Sequence, residues 1–246
     1  MTGFPELPSG RDSQESPRRT TRLVLASQSP RRRRLLAWLG LPFSATAVDT
    51  PEDLDTPLAR DPSALAESLA AEKAVAACAH GLPEDALVIC FDTIVVLDGT
   101  VLGKPADVPD AWRMLRALSG RTHQVVTGVA LAGACRAPET FSVTTSVTMR
   151  PLTDGRIEEW MARGHFMGCA GAYNIEDQIA EVTEDECYQN VAGLPLCHLH
   201  VELARLAEDG QVVWPGGIAP TVPIAPCDAA LGRHCCLGPR LIPPAR

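Results

Sequence analysis

The chain has 246 residues and a formal net charge of −8. This length allows one large domain or two small ones, and the negative charge argues against nucleic acid as a stable partner. No run approaches the roughly 18 apolar residues of a membrane span, and the N-terminus has no apolar signal-peptide core, so we expect no membrane partner and a cytoplasmic location.

Both ends of the chain lack apolar periodicity. Residues 1–21 mix Ser, Pro, Arg and acidic residues, which predicts a disordered leader. Residues 207–246 are rich in Pro and Gly, which predicts a weakly ordered tail. The folded domain is therefore expected over residues 22–206.

The nine cysteines are odd in number and scattered through apolar segments, which favours reduced thiols. A group in the tail contains residue types that bind metals, but its adjacent cysteines depart from the usual zinc spacing, so we expect no metal site there. Its members are Cys227, His234, Cys235 and Cys236.

Four arginines open the first predicted helix, in the stretch SQSPRRRRLL that follows the short apolar strand RLVLAS. Ser29 is a good N-cap, and Pro30 fits the first helical position. A helix N-terminus carries partial positive charge, so cations there are unfavourable unless an anion binds. The stretch predicts an anion site, with phosphate as the best candidate. The alternatives are a solvated basic patch, a nucleic-acid-binding segment and a targeting signal.

A second helix is predicted over DPSALAESLAAEKAVAACAHG. Asp61 is its N-cap, Pro62 its first residue and Gly81 its stop. Lys73 follows Leu69 by four residues and so falls on the buried side. This pattern favours a lysine whose stem lies along the core while its charge reaches water.

The segment ALVICFDTIVVLDGTVLGKP predicts a central strand over residues 87–97 and a hairpin turn at Asp98-Gly99. Asp92 stands in the middle of this strand. A buried carboxylate must be protonated, paired or bound to a metal, and we favour a functional Asp92 over a structural ion pair.

Pairing outward from the hairpin turn places Leu97 opposite Thr100, and continuing it brings Lys104 opposite Thr93. Strict alternation then places Lys104 on the face opposite to Asp92, so a direct ion pair between them requires a bulge or an intervening ligand.

The rest of the domain continues to alternate between strands and helices. A helix is predicted over DVPDAWRMLRALSG, strands over THQVVTGVALAG and FSVTTSVTMRPL, and a short helix over TDGRIEEWMARG. His123, at the start of its strand, is interpreted as a structural histidine. The pattern predicts a single α/β domain with a mixed sheet and a cleft.

Together these stretches resemble the Maf, or septum-formation, family of nucleotide pyrophosphatases, in order from about Leu23 to about Leu206. The matching motifs are LASQSPRRRRLL, TPEDLD, LAAEKA, FDTIVVLDGTVLGKP, LSGRTHQVVTG, CAGAYNIE and VAGLPL. The resemblance implies a twisted mixed sheet flanked by helices, in two lobes with a central cleft, as in inosine-triphosphate pyrophosphatases. It also implies metal-dependent hydrolysis of a nucleoside triphosphate, with Mg²⁺ or Mn²⁺, to the monophosphate and pyrophosphate.

The resemblance also assigns roles by position. Asp92 matches the proton acceptor, Lys73 and Lys104 the other catalytic groups, and Glu52 with Asp92 the metal-binding carboxylates. The substrate-binding positions are Ser27, Ser29, Arg31, Arg32, Thr93, Cys169 and Glu176.

The positions that distinguish branches of the family are mixed in this chain. Arg31 and Thr93 resemble the branch that acts on thymidine and uridine triphosphates, whereas Cys169 and Glu176 resemble the branch that acts on 7-methylguanosine triphosphate. We expect dTTP or UTP as substrate, in a house-cleaning role against misincorporation. One alternative substrate is 7-methylguanosine triphosphate, and an alternative function is a noncatalytic, nucleotide-binding role in septum formation. The sequence is compatible with a homodimer but does not determine the oligomeric state.

Overall fold

The computed structural model describes residues 20–133 and 137–243, so that most of the predicted leader lies outside the described residues. The strands are β1 (Arg22–Ala26), β2 (Phe43–Thr46), β3 (Ala86–Leu97), β4 (Thr100–Leu102), β5 (Thr122–Gly133), β6 (Glu139–Met149) and β7 (Ala180–Glu181). The α-helices are α1 (Pro30–Ala37), α2 (Pro62–Ala79), α3 (Val108–Leu118), α4 (Asp154–Met161), α5 (Tyr188–Val191), α6 (Leu196–Glu208), α7 (Ile224–Leu231) and α8 (Gly238–Leu241). None of the helices in these ranges is long and apolar enough to cross a membrane.

The predicted helix boundaries are confirmed by the cap geometry. The Ser29 side chain accepts a hydrogen bond from the backbone N–H of Arg32 at the start of α1. Asp61 caps α2 in the same way, accepting from the backbone N–H of Ala64. The chain turns away from α2 at Gly81, whose φ of +80° is readily adopted by glycine.

The predicted hairpin is also present. Asp98 and Gly99 have φ of 49° and 77°, as a two-residue turn between twisted antiparallel strands requires. Leu97 pairs with Thr100, which is the predicted register.

The seven strands form one mixed sheet in the order β2-β1-β3-β5-β6-β7, with β4 beside β3. Strand β5 pairs with β3 along its length, from Leu87 to Val96. On the other edge of β3, parallel β1 pairs only as far as Ile89 and antiparallel β4 only from Val95. Within the described strands this edge of β3 is therefore unpaired around Asp92, which leaves a gap in the sheet between β1 and β4. The chain segments that follow β1 and β4 border this gap.

Alternate residues of β3 face different layers of helices. Cys90 and Ile94 pack in clusters with alanines and leucines of α2. Phe91 and Val95 pack in the larger core with side chains of α1, α3, α4 and α6. Asp92 therefore faces α2, and Thr93 faces the layer that contains α1.

The structure corrects the prediction of a weakly ordered tail after residue 207. This segment forms α7 and α8 and buries Trp214 and Cys227, which are 4% and 6% exposed. Its backbone is tied to the domain where Thr221 N–H donates to the Leu39 carbonyl at 2.7 Å. The sequence pattern missed this packing because the helices are short and proline and glycine separate the few buried apolar residues.

Candidate active site

A cleft of about 750 Å³ lies beside the gap in the sheet. It opens at the carboxyl end of the parallel strand β1, which is where ligands bind in many α/β proteins. Ten of the eleven predicted site residues line it: Ser27, Ser29, Arg31, Arg32, Glu52, Lys73, Asp92, Thr93, Lys104 and Cys169.

Two carboxylates and two lysines form an ion-pair cluster in the cleft. Lys73 Nζ lies 2.8 Å from Glu52 Oε1 and also donates to Asp92 Oδ1. Lys104 Nζ lies 2.6 Å from the same Glu52 oxygen. The prediction that the Lys73 charge reaches water is wrong, because its ammonium bridges two carboxylates and its side chain is only 13% exposed. Alternation predicted that Lys104 reaches Asp92 directly only through a bulge or a ligand, and in the structure Lys104 pairs with Glu52 instead.

Opposite charges keep Lys73 and Glu52 ionised despite their burial. Burial works against the charged form of Lys73, but Asp92 and Glu52 together raise its pKa above the ordinary value. Burial likewise opposes the charge of Glu52, but Lys73 and Lys104 hold its pKa below the ordinary value. At neutral pH Lys73 is therefore an ammonium and Glu52 a carboxylate.

The four arginines divide into two pairs. Arg31 and Arg32 lie at the cleft wall, whereas Arg33 and Arg34 are exposed. The Arg31 guanidinium donates to the Cys169 thiol at 3.5 Å.

Contacts on three sides fix the Arg32 guanidinium. Its Nε donates to the Gly193 carbonyl at 2.8 Å, and Nη2 donates to Thr93 Oγ1 at 3.0 Å. Its Cζ atom lies over the Phe91 ring, 5.4 Å from the ring centre. Burial lowers the pKa of Arg32, an effect that the charge of Asp92 opposes.

The loop between β1 and α1 directs the N-terminus of α1 towards the cleft. The Ser29 N–H donates to Ser27 Oγ at 3.2 Å, while Ser29 Oγ caps the helix. Both predicted serines therefore shape the loop in addition to lining the cleft.

Glu176 is the predicted site residue that the structure does not place in the cleft lining. Its carboxylate forms an ion pair with exposed Arg34. Asn174, two residues earlier, lines the cleft instead, as does Gly193. The motifs CAGAYNIE and VAGLPL contain these two residues. The sequence therefore indicated that both segments belong to the site, but it did not single out Asn174 or Gly193.

His123 is structural, as predicted. Its side chain is buried, and its Nε2 lies 2.7 Å from the Tyr173 hydroxyl. Burial lowers the pKa of His123 to about 4, so the ring is neutral at physiological pH.

The ionisable groups of the cleft favour a polyanionic ligand. Four cationic side chains and three carboxylates, those of Asp49, Glu52 and Asp92, give these seven groups a formal net charge of +1, against −8 for the chain. A local positive field in an acidic protein is suited to a phosphate chain. The cationic groups are Arg31, Arg32, Lys73 and Lys104.

Comparison with known proteins identifies the family. The family model for Maf-like proteins matches residues 22–206. The chain belongs to the Maf family. The dTTP/UTP pyrophosphatase of Moorella thermoacetica is 47% identical to this Maf chain over 201 residues, which cover 79% of this chain and 98% of that protein. The dTTP/UTP pyrophosphatase of Geobacter sulfurreducens is 43% identical over 194 residues, covering 75% and 96%.

Among solved structures, the Staphylococcus aureus Ham1 protein is similar to the Maf chain with a TM-score of 0.38 and 16% identity. The similar region covers 52% of this chain and 72% of that one.

Across the described ranges, no group of three or more His, Cys, Asp or Glu side chains is arranged to hold a metal. This covers the cysteine and histidine residues of the tail as well as the cleft.

Proposed function

We propose that this chain hydrolyses a nucleoside triphosphate, dTTP or UTP, to the monophosphate and pyrophosphate. The observation that carries the proposal is the carboxylate of Asp92, only 4% exposed, beside four cationic side chains in one cleft. The dTTP/UTP pyrophosphatases at 43% and 47% identity support the choice of substrate. Such an activity removes nucleotides before they are misincorporated.

In the proposed reaction Asp92 is the general base. Its Oδ1 accepts from Lys73, and Oδ2 accepts no hydrogen bond from the described residues, which leaves that oxygen for a water molecule. Asp92 takes a proton from this water while the water oxygen attacks the α-phosphorus. The bond from the α-phosphorus to the bridging oxygen breaks, and pyrophosphate leaves with the electron pair.

The cationic side chains bind the phosphates and stabilise the leaving group. Arg32 is already oriented by Gly193 and Thr93, so it loses little freedom when it binds a phosphate oxygen. Lys104 is 51% exposed, so its ammonium can move from Glu52 to the leaving pyrophosphate.

We also propose that Glu52 and Asp92 hold a divalent cation, Mg²⁺ or Mn²⁺. Both carboxylates contact Lys73 Nζ and therefore lie close together in the cleft. Two carboxylates without a third protein ligand fit Mg²⁺, which completes its coordination with substrate phosphates and water. When bound, the cation would offset the negative charge on the phosphate oxygens.

The test is ³¹P NMR of nucleoside triphosphates incubated with the purified protein, with and without Mg²⁺ or Mn²⁺. We expect pyrophosphate and monophosphate from dTTP or UTP, and release of orthophosphate would contradict the proposal. Asp92→Asn should reduce turnover by roughly 10²-fold or more. Asp98→Asn is the matched control, because it makes the same change at a 68% exposed turn residue next to the end of β3.

Cys169 favours a second candidate substrate, 7-methylguanosine triphosphate. Cys169 lines the cleft and contacts Arg31, and the resemblance connects a cysteine at this position with that substrate. Including 7-methylguanosine triphosphate in the same series ranks the two candidates by kcat/KM. A noncatalytic regulator would instead bind dTTP, measured by calorimetry, and release no product.

A further inference from the structure

We infer that Thr127 and Asn190, acting through Thr93, are positioning residues that orient the Arg32 guanidinium towards the triphosphate. This inference rests on the proposed function, since it takes Arg32 as a phosphate-binding group.

A chain of hydrogen bonds runs from the cleft into the core. Arg32 Nη2 lies 3.0 Å from Thr93 Oγ1, which lies 3.0 Å from Thr127 Oγ1. Thr127 Oγ1 in turn donates to the backbone carbonyl oxygen of Asn190 at 3.1 Å. Thr127 and Asn190 are both fully buried, so water does not compete for the hydrogen bond between them.

The direction of this chain follows from the hydrogens available. The Asn190 carbonyl can only accept, so Thr127 gives it the single hydroxyl hydrogen that it has. Thr127 must then accept from Thr93 at the 3.0 Å contact, which uses the hydroxyl hydrogen of Thr93. Thr93 therefore accepts from Arg32 and has no hydrogen left to donate to a phosphate oxygen, which leaves the arginine as the phosphate-binding group of this pair.

A second branch returns from Asn190 to the same arginine. The Gly193 N–H donates to the Asn190 carbonyl at 2.9 Å, and the Gly193 carbonyl accepts from Arg32 Nε at 2.8 Å. The Asn190 carbonyl thus accepts two hydrogen bonds, one from each branch. The bonds form a closed ring around one edge of the guanidinium, and its other N–H groups remain for phosphate oxygens.

The Asn190 side chain anchors this ring to the sheet. Its Nδ2 donates to the carbonyls of Val125 on β5 and Val143 on β6, at 3.2 and 2.9 Å. It also lies 3.1 Å from Thr145 Oγ1. The Asn190 side-chain Oδ1 is buried without a hydrogen-bond partner among the described residues. The contacts of Nδ2 hold the residue in place, because buried hydrogen bonds are strong in a medium of low dielectric constant.

Two threonines offer a matched pair of variants. Thr127 and Thr145 are both fully buried, and each hydroxyl donates to a backbone carbonyl, Thr145 to that of Cys187 at 3.2 Å. Both contact Asn190, but only Thr127 contacts Thr93. Replacing either threonine by valine keeps its shape and removes one donor and one acceptor.

The experiment compares Thr127→Val with Thr145→Val by steady-state kinetics with dTTP and by NMR of the Arg32 Nε–H signal, assigned with Arg32→Lys. We expect Thr127→Val to raise KM about tenfold, with a smaller effect on kcat, and to increase the solvent exchange of the Nε–H about tenfold. Thr145→Val should leave both near wild type, and Thr127→Ser should restore both. Thr93→Val is the second variant and should reproduce the NMR change even if Thr127→Val does not fold.

Equal effects of Thr127→Val and Thr145→Val, or an unchanged Arg32 signal in Thr127→Val, would overturn the inference. If the wild-type protein hydrolyses no triphosphate, the proposed function fails, whereas the NMR comparison still decides whether the ring positions Arg32.

Discussion

A Cβ atom at Gly128 would lie 2.1 Å from the carbonyl oxygen of Ala66, so the backbone of α2 rests directly on the sheet at this point. Gly128 pairs with Asp92 across β5 and β3. Lys73 lies about two helical turns beyond Ala66, on the same side of α2. The close approach therefore determines how near the Lys73 ammonium comes to the Asp92 carboxylate.

Gly128→Ala should push α2 away from the sheet. We expect a loss of about 1–3 kcal/mol in the free energy of unfolding, typical of overpacking, together with reduced turnover. Urea denaturation and kinetics measure the two effects. Gly155→Ala in α4 is the control, since nothing lies within 4 Å of its added Cβ, and it should be neutral or stabilising. Wild-type stability of Gly128→Ala would show that α2 is not held by this contact.

Lys73→Met should leave the buried carboxylate of Asp92 without its counter-ion. We expect a loss of about 3–5 kcal/mol in unfolding free energy, measured by urea denaturation. Adding Asp92→Asn should recover most of this stability but no turnover, because the uncompensated charge is gone and the base is missing. Simple additivity of the two losses would contradict the ion pair.

Lys104→Met is the matched control for Lys73→Met. Lys104 is 51% exposed and also binds Glu52, so its loss should cost less than about 1 kcal/mol of stability. A loss as large as that of Lys73→Met would show that Glu52, rather than Asp92, dominates the energetics of the cluster.

The local features of this fold could be predicted because single residues determine them. Ser29 and Asp61 cap their helices, and Asp98-Gly99 makes the hairpin, as the sequence indicated. Each of these signals acts within a few residues of chain, where side-chain hydrogen bonds and backbone preferences decide the structure.

The partner of Asp92 could not be predicted because it depends on packing between distant elements. Periodicity places Lys73 on the buried side of α2 but does not reveal a carboxylate beneath it. That contact requires the close approach at Gly128 and the gap between β1 and β4. The Arg32–Gly193 contact similarly joins segments that are far apart in sequence.

His123 should make the protein less stable in mild acid. The unfolded histidine, with an ordinary pKa of 6.5, takes up a proton below that pH, whereas the folded ring, with a pKa of about 4, stays neutral. The unfolded state therefore binds more protons between these values, and stability falls as pH decreases through this window.

His123→Gln removes this titration and keeps a polar partner for Tyr173. Between pH 7.5 and pH 5, the stability of the wild type should fall by about 2 kcal/mol more than that of the variant. Urea denaturation at the two pH values measures the difference. Parallel changes in the two proteins would place the proton uptake elsewhere.

The two ends of the chain should behave differently on truncation. The sequence pattern predicts that both are dispensable for hydrolysis, and for residues 1–19 this stays a prediction. The tail, by contrast, buries Trp214 in the main core. Trp214→Ala should therefore lower the free energy of unfolding by about 3–5 kcal/mol, and deletion of residues 210–246 should cost at least as much. Deletion of residues 1–19 is the control. If this deletion, Trp214→Ala and deletion of residues 210–246 all gave the same melting temperature, the tail would not stabilise the domain.

Glu176→Gln tests whether position 176 reads the base. A pyrimidine presents carbonyl acceptors beside its ring N–H, and a side-chain amide can donate to one of them, whereas a carboxylate only accepts. In the structure the Glu176 carboxylate is paired with Arg34, so the glutamine also weakens that ion pair. The sequence predicts that kcat/KM for dTTP or UTP, relative to 7-methylguanosine triphosphate, rises by roughly 10- to 200-fold. The position of Glu176 outside the cleft lining predicts an unchanged ratio instead, and the measurement decides between the two. Arg34→Gln breaks the same ion pair while keeping the carboxylate, so it should leave the ratio unchanged. If both variants shift the ratio equally, the ion pair sets specificity through the shape of the cleft rather than through a contact from residue 176 to the base.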